Sequence, residues 1–273
     1  MKNRSLALSA IYIWLFAFAL IPIALTVAAS FLSSSTSELI TLPFTLSNYQ
    51  SLFSPLLLHI LLRSLGLALV TTFFCLALAY PFSYFMVKSK HQSLMLLFII
   101  IPFWTSSLIR TYALIAILKF NGLLNTALLK LHIISSPITF LYTNFAVISG
   151  LVYTLFPFMV LPLFTNMERF DFRLIEAARD LGASRRQTFW RIFLPSTKPG
   201  ILSGVMMVFL PAMTLFYIPQ ILGGARSILI GNLIQNQFLV AGDWPQGAAT
   251  SIFLTFILLI FMVMYRKPWS KQS

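Results

Sequence analysis

A bundle of membrane-spanning α-helices is the fold class this sequence predicts, and three observations predict it. Apolar residues make up 59% of its 273 residues and charged residues only 9%, with a mean hydropathy of +0.89; a soluble domain needs a far more charged surface. Six apolar stretches lie near residues 6–32, 57–87, 93–118, 140–165, 200–219 and 247–265, each long enough for a hydrocarbon core that takes about twenty helical residues to cross. The cations fall mostly between and beside these stretches rather than within them. The chain therefore reads as one all-α transmembrane domain over residues 1–273.

Taken in order, the first stretch follows Lys2 and Arg4. Val27-Ala28-Ala29 resembles a leader-cleavage site, but the apolar run is about twice a signal h-region, so a retained helix is predicted. Residues 33–56 form a first intervening segment with a Ser-rich tract, Glu38, Pro43, Asn48 and Tyr49. The second stretch ends at Lys88 and Lys90, and the third carries Pro102, expected to kink it. Residues 119–139 hold an amphipathic run, Leu123 to Leu131, suited to lie along a membrane surface. The fourth stretch leads into the charged loop 166–198, and the fifth into a segment, 220–246, with Gly223-Gly224, Asn232, Gln235, Asp243 and Trp244. Arg266, Lys267 and Lys271 follow the sixth.

Two cations precede the first stretch, two follow the second, seven lie in the 166–198 loop and three follow the sixth, fourteen of the 19 Lys and Arg. The positive-inside rule then predicts both termini and that loop in the cytoplasm. It also reads the formal charge of +13 as membrane topology, with a lipid bilayer as partner and no nucleic acid. The single Cys75 allows no intrachain disulfide, and His59, His91 and His132 have no metal-ligand company, so no metal site is expected. No Lys follows a Gly, so the phosphate-cradling nucleotide loop is missing from the sequence. No catalytic constellation is readable, and the chain is not expected to be an enzyme.

The loop is the most informative segment. Asp171 can cap a helix starting at Phe172. Leu174, Ile175, Ala178 and Leu181 recur at helical spacing as one apolar face, and Gly182 stops the helix. Ser184 with Gln187 three residues on makes a capping box for a second helix. Pro195 and Pro199 are expected to end that helix and start the next span. Helix, turn and helix tied to spans at both ends suit a docking lever.

Glu176-Ala177-Ala178, three residues, Gly182, nine residues, Ile192, one residue and Leu194-Pro195 resemble, without a gap, the EAA loop of ABC importer permeases. That resemblance implies the type I ABC importer permease fold and a first short helix that docks in a cleft of a separate cytoplasmic ATPase. Glu176, Ala177, Ala178, Asp180, Gly182, Arg185 and Pro195 would be its coupling residues. No cofactor would be bound by this chain, with ATP and magnesium held by the partner ATPase. The segments Pro102 to Arg110, Gly150 to Tyr153, Leu155 to Val160, Leu210 to Met213, Leu229 to Asn232 and Asp243 to Ser251 further resemble PotB-type permeases of spermidine/putrescine importers. This implies a heterodimer with a PotC-type permease, two PotA-type ATPase subunits and a PotD-type periplasmic binding protein, all at a bacterial inner membrane.

A polyamine wants aromatic faces for its ammonium groups and apolar walls for its methylenes, with a few carboxylates. Tyr49, Trp104, Tyr112, Tyr153, Phe156, Tyr217 and Trp244 are candidate pathway aromatics; outside the charged loop the acidic residues are only Glu38 and Asp243. Asp243 reads equally as a substrate contact, a helix cap or an ion partner of Arg110. Arg110 repels a cationic ligand and reads as structural or gating. The aromatics read equally as packing or interfacial residues. Arg110 and Arg226 would favour the alternative cargo of an oxyanion; ferric ion, thiamine and a phosphonate are others for the same machine. An ion-coupled transporter would need ionisable relays or internal repeats, which the sequence lacks. A membrane scaffold without transport is the remaining alternative.

Overall fold

The structure, a computed structural model, describes residues 11–34, 41–42, 44–224 and 227–266. Lys2, Arg4, residues 6–10 of the first stretch, Glu38, Pro43, Arg226, Lys267 and Lys271 lie outside the described residues, as does the side chain of Arg266. Helices occur in the order α1 (Ile11–Ser30), α2 (Ser47–Ser51), α3 (Pro55–Lys88), α4 (Gln92–Ile100), α5 (Ser107–Leu118), α6 (Leu123–Lys130), α7 (Asn144–Glu168), α8 (Arg173–Asp180), α9 (Arg185–Thr214), α10 (Ile230–Leu239) and α11 (Trp244–Arg266). Among the described residues, six helical stretches are long and apolar enough to cross a membrane.

The chain divides into two units, Leu62–Asn232 and a smaller one made of Met1–Leu61 with Leu233–Ser273. In the larger unit α9 lies against α7, and two glycines explain why. A Cβ at Gly204 would stand 2.6 Å from Met159 Sδ and 3.2 Å from the Met159 carbonyl oxygen; one at Gly200 would stand 2.7 Å from Asn166 Cβ. Glycines four residues apart share a helix face, so the backbones can approach where lipid offers no hydrophobic drive to hold helices together. Leu151, Leu155, Met159, Leu163 and Met167 repeat every fourth residue of α7 and are buried, as are Val208, Phe209, Ala212 and Met213 on α9.

In the smaller unit α1 packs on α11. Asn48 Nδ2 donates to the carbonyls of Ser30 (3.0 Å) and Leu32 (2.8 Å), closing the end of α1 with α2. The Ser34 hydroxyl donates to Asp243 Oδ1 at 3.0 Å beside the start of α11.

Three expectations are corrected. The third stretch is two helices instead of one kinked span: after Ile101–Trp104 the chain is extended at Thr105 (ψ 147°) before α5 begins. Pro102 has no N–H to continue the α-helical ladder; the chain tightens there into a 3₁₀ turn, Ile101–Trp104, before the break at Thr105. Pro195 and Pro199 do not separate a loop helix from a span, because α9 runs unbroken through both. A wide π turn at Phe189–Phe193 precedes Pro195; it resets the hydrogen-bond ladder where the proline could not donate. The same device, Phe16–Leu20, precedes Pro22 in α1. The fifth span ends at Thr214 rather than 219, since Leu215 is extended (ψ 124°). The run from Leu123 is helical as expected.

Candidate functional site

Two constellations form in the larger unit, one at the charged loop and one among the apolar helices. At the loop, Asp171 Oδ1 accepts from the Arg173 N–H at 3.0 Å, so α8 starts one residue later than the sequence suggested. Gly182 has φ +85°, a conformation that penalises a Cβ. The Gly182 N–H reaches the Arg179 carbonyl at 2.9 Å and the Ala183 N–H that of Ala178 at 3.0 Å, the paired bonds that close a helix in a left-handed residue. The capping box is present: Ser184 Oγ accepts from the Gln187 N–H at 3.3 Å, and Gln187 Oε1 from the Ser184 N–H at 2.9 Å.

The apolar face of α8 splits. Ile175 and Ala178 are half-buried, whereas Ala177 is exposed, as are Leu174 (51%) and Leu181 (90%). A helix therefore presents an unpartnered apolar strip, with Asp180 exposed beside it. Behind α8 lies a cavity of about 800 Å³ whose walls include Tyr84 and Lys88 of α3, Glu176 and Arg179 of α8, and Arg185 and Phe189 of α9. Phe193, 1% exposed, is its hub. Its ring centroid lies 5.2 Å from Phe170, 5.3 Å from Tyr84 and 6.2 Å from both Tyr80 and Phe172. The Tyr80 and Thr197 hydroxyls are hydrogen-bonded at 3.0 Å, and Lys88 Nζ sits 4.5 Å from the Tyr84 ring centroid. Glu176, Arg179 and Arg185 thus meet in one cavity, while Pro195 is an exposed residue within α9.

The second constellation is a cavity of about 470 Å³ lined by Leu78, Phe98, Pro102, Arg110, Ser149, Val152, Tyr153 and Phe156, among others. The Arg110 guanidinium carbon lies 5.3 Å from the Phe103 ring centroid and 5.8 Å from that of Tyr153. Its Nε is buried without a hydrogen-bond partner.

Of the expected pathway aromatics, the structure brings Tyr153 and Phe156 together around Arg110. Trp104 (84% exposed) and Tyr112 are outward-facing and do not line that cavity. Tyr217 is half-buried edge-on to Phe216 at 6.1 Å. In the smaller unit, the Tyr49 and Ser30 hydroxyls bond at 2.7 Å, and Trp244 stacks edge-on to Phe238 at 5.9 Å. Asp243 Oδ1 accepts from the Gln246 N–H at 3.2 Å, which makes it a cap of α11. Sequence reading missed Phe103, because an ordinary phenylalanine among 27 carries no signal until the break after it turns Arg110 onto its ring.

Residues 72–267 match the model of the "Binding-protein-dependent transport system inner membrane component" family. The chain belongs to that family. As a permease of this family it is similar to the spermidine/putrescine transport system permease protein PotB of Escherichia coli K12, 48% identical over 92% of each chain. The PotB of Haemophilus influenzae is 44% identical over 97% of this chain and 93% of that one. Among solved structures it is similar to a chain of a bacterial ABC transporter that imports the acidic polysaccharide alginate. The TM-score is 0.80 at 17% identity, with 99% of this chain and 97% of that one covered. At that identity the likeness establishes the fold, that of an ABC importer permease. The permease is a multi-pass membrane protein and a transporter subunit rather than an enzyme.

Proposed function

We propose that this permease is one membrane half of a polyamine importer at a bacterial inner membrane, receiving spermidine or putrescine from a PotD-type periplasmic protein. Identity to PotB proteins over more than nine-tenths of both chains supports the cargo, and the aromatic cavity at Tyr153 and Phe156 is chemistry that suits it. Its partners are a PotC-type second permease and two PotA-type ATPases, which hold ATP and magnesium. A solved alginate importer in complex with its loaded periplasmic protein gives the assembly a structural parallel.

The observation that carries the mechanism is the continuity of α9. Glu176, Ala177, Ala178 and Asp180 lie on a short helix with a bare apolar strip. The Gly182 turn and the Ser184 cap join it directly to a 30-residue helix from Arg185 to Thr214. In this reading α8 sits in the cytoplasmic ATPase, and closure of the two ATPases moves α9 as a rod, alternating access to the pathway. Hydrolysis resets it.

The test is polyamine uptake and ATPase rate of the complex reconstituted in proteoliposomes with loaded binding protein. ATP hydrolysis should rise with spermidine or putrescine. Glu176→Lys should cut uptake by at least tenfold while the isolated ATPase keeps its rate. Unchanged uptake by that variant would remove the coupling role, and stimulation by an oxyanion instead would replace the cargo.

A further inference from the structure

Arg110 is a cation beside aromatic faces and apolar walls whose chemistry suits cations, in a protein whose proposed cargo is itself a cation. Arg110 is half-buried, and its buried, unpartnered Nε is costly; an importer of polyamines gains nothing from a fixed like charge in its path. Yet the structure positions it with care. The break at Thr105 starts α5 anew, so Arg110 falls between the faces of Phe103 and Tyr153. Phe103 is itself held edge-on by Phe158 at 5.1 Å. Besides Ser149, the cavity beside Arg110 and Tyr153 is lined by apolar residues, Leu78, Phe98, Val152 and Phe156 among them, and its volume of about 470 Å³ lies in the range of small-molecule sites. Two ring faces with apolar walls beyond them are what an alkyl ammonium requires, and the guanidinium already covers both rings.

We infer that Arg110 is a tethered competitor: its guanidinium occupies the Phe103–Tyr153 cage that receives a substrate ammonium, and it re-enters the cage to expel the substrate. This rests on the polyamine reading and extends it. A transporter must bind its cargo weakly enough to release it, and a resident cation supplies that weakening at the site itself. An incoming ammonium gains the rings only by displacing Arg110. The returning arginine makes release independent of any affinity change elsewhere. It also selects against ligands with a single charge, which have no second ammonium to hold them while the first competes.

The experiment uses the complex of both permeases and both ATPases, and measures two quantities. One is equilibrium binding of labelled spermidine without the periplasmic protein; the other is the import rate at saturating loaded periplasmic protein. Arg110→Gln should bind about tenfold more tightly, the factor that corresponds to about 1.4 kcal/mol, yet import more slowly. Arg110→Met, of similar length without charge, should do the same, and Arg110→Lys should stay near wild type. Adding Tyr153→Leu to Arg110→Gln should abolish the gain, since the two act through one ring face. A purely structural arginine predicts weaker binding and slower import together. Unchanged or weaker binding in both neutral variants, or their failure to assemble, overturns the inference. A wild-type complex that imports no polyamine overturns instead the cargo reading beneath it.

Discussion

The two cavities of the larger unit use the same contact and differ in what surrounds it. At the charged loop Lys88 lies 4.5 Å from the ring of Tyr84 and 5.5 Å from that of Phe172; among the apolar helices Arg110 lies 5.3 and 5.8 Å from Phe103 and Tyr153. Lys88 is exposed, and water solvates whatever the rings do not. Arg110 has a buried Nε with no acceptor. A cation over a ring is therefore a mild tether in one place and an unresolved cost in the other. A cost kept in a membrane interior signals function more strongly than a favourable contact at the surface. The rings of the loop cavity converge on one hub, Phe193, whereas those at the inner one meet in separate pairs, Phe103 with Phe158 and Phe82 with Phe156.

Three substitutions test that contrast at its loop side. Phe193→Ala removes the hub ring, 1% exposed, and should destabilise the chain by about 3–5 kcal/mol, the usual range for a buried phenylalanine. It would be seen as a lowered thermal midpoint in nanodiscs; a midpoint unchanged within error would show that the cluster is ornamental. Gly182→Pro comes next. Proline locks φ near −65° where the turn has φ +85°, and it deletes the N–H bonded to the Arg179 carbonyl. A local cost of about 3 kcal/mol follows. Uptake should fall at least tenfold while spermidine binding at the inner cavity persists. Loss of both would mean that the two cavities are not separable. Lys88→Gln should have the smallest effect, under about 1 kcal/mol, with import within twofold of wild type. If it tightened polyamine binding as Arg110→Gln is expected to, the distinction between the two cations would collapse.

Much of this was legible in the sequence, for physical reasons that differ by region. That the chain holds several spans follows from hydropathy summed over about twenty residues, whereas the bounds of the third and fifth shifted, to Ser107–Lys130 and Arg185–Thr214. The turn at Gly182 and the box at Ser184 and Gln187 are local hydrogen-bond grammar, readable in a few residues. Breaks and fusions were not legible. Pro102 and Pro195 look alike in sequence, yet the chain tightens to a 3₁₀ turn at the first and breaks soon after, whereas it continues as a helix through the second, as it does through Pro157 and Pro162. The outcome depends on whether neighbouring backbone can reset its ladder, which packing decides. The cage at Arg110 was half legible: the charge was conspicuous and Tyr153 a candidate, but Phe103 required the third dimension. Asp243 shows the opposite limit: of its three readings in sequence, the structure displays the helix cap, through the Gln246 N–H.

Helix α9 has one further consequence. Its 30 residues, rising about 1.5 Å each, make a shaft roughly 45 Å long. A shaft amplifies: a tilt of about 10° at the Ser184 end sweeps the other end through roughly 8 Å, more than one helical pitch. The moving tip is Thr214. There the chain turns extended at Leu215 and is caught one residue later, where Asn232 Nδ2 donates to the Phe216 carbonyl at 2.7 Å. Small angular errors at the turn would be magnified just as faithfully as signals, so it matters that the pivot is tied by the paired bonds around Gly182 and the capping box at Ser184 and Gln187.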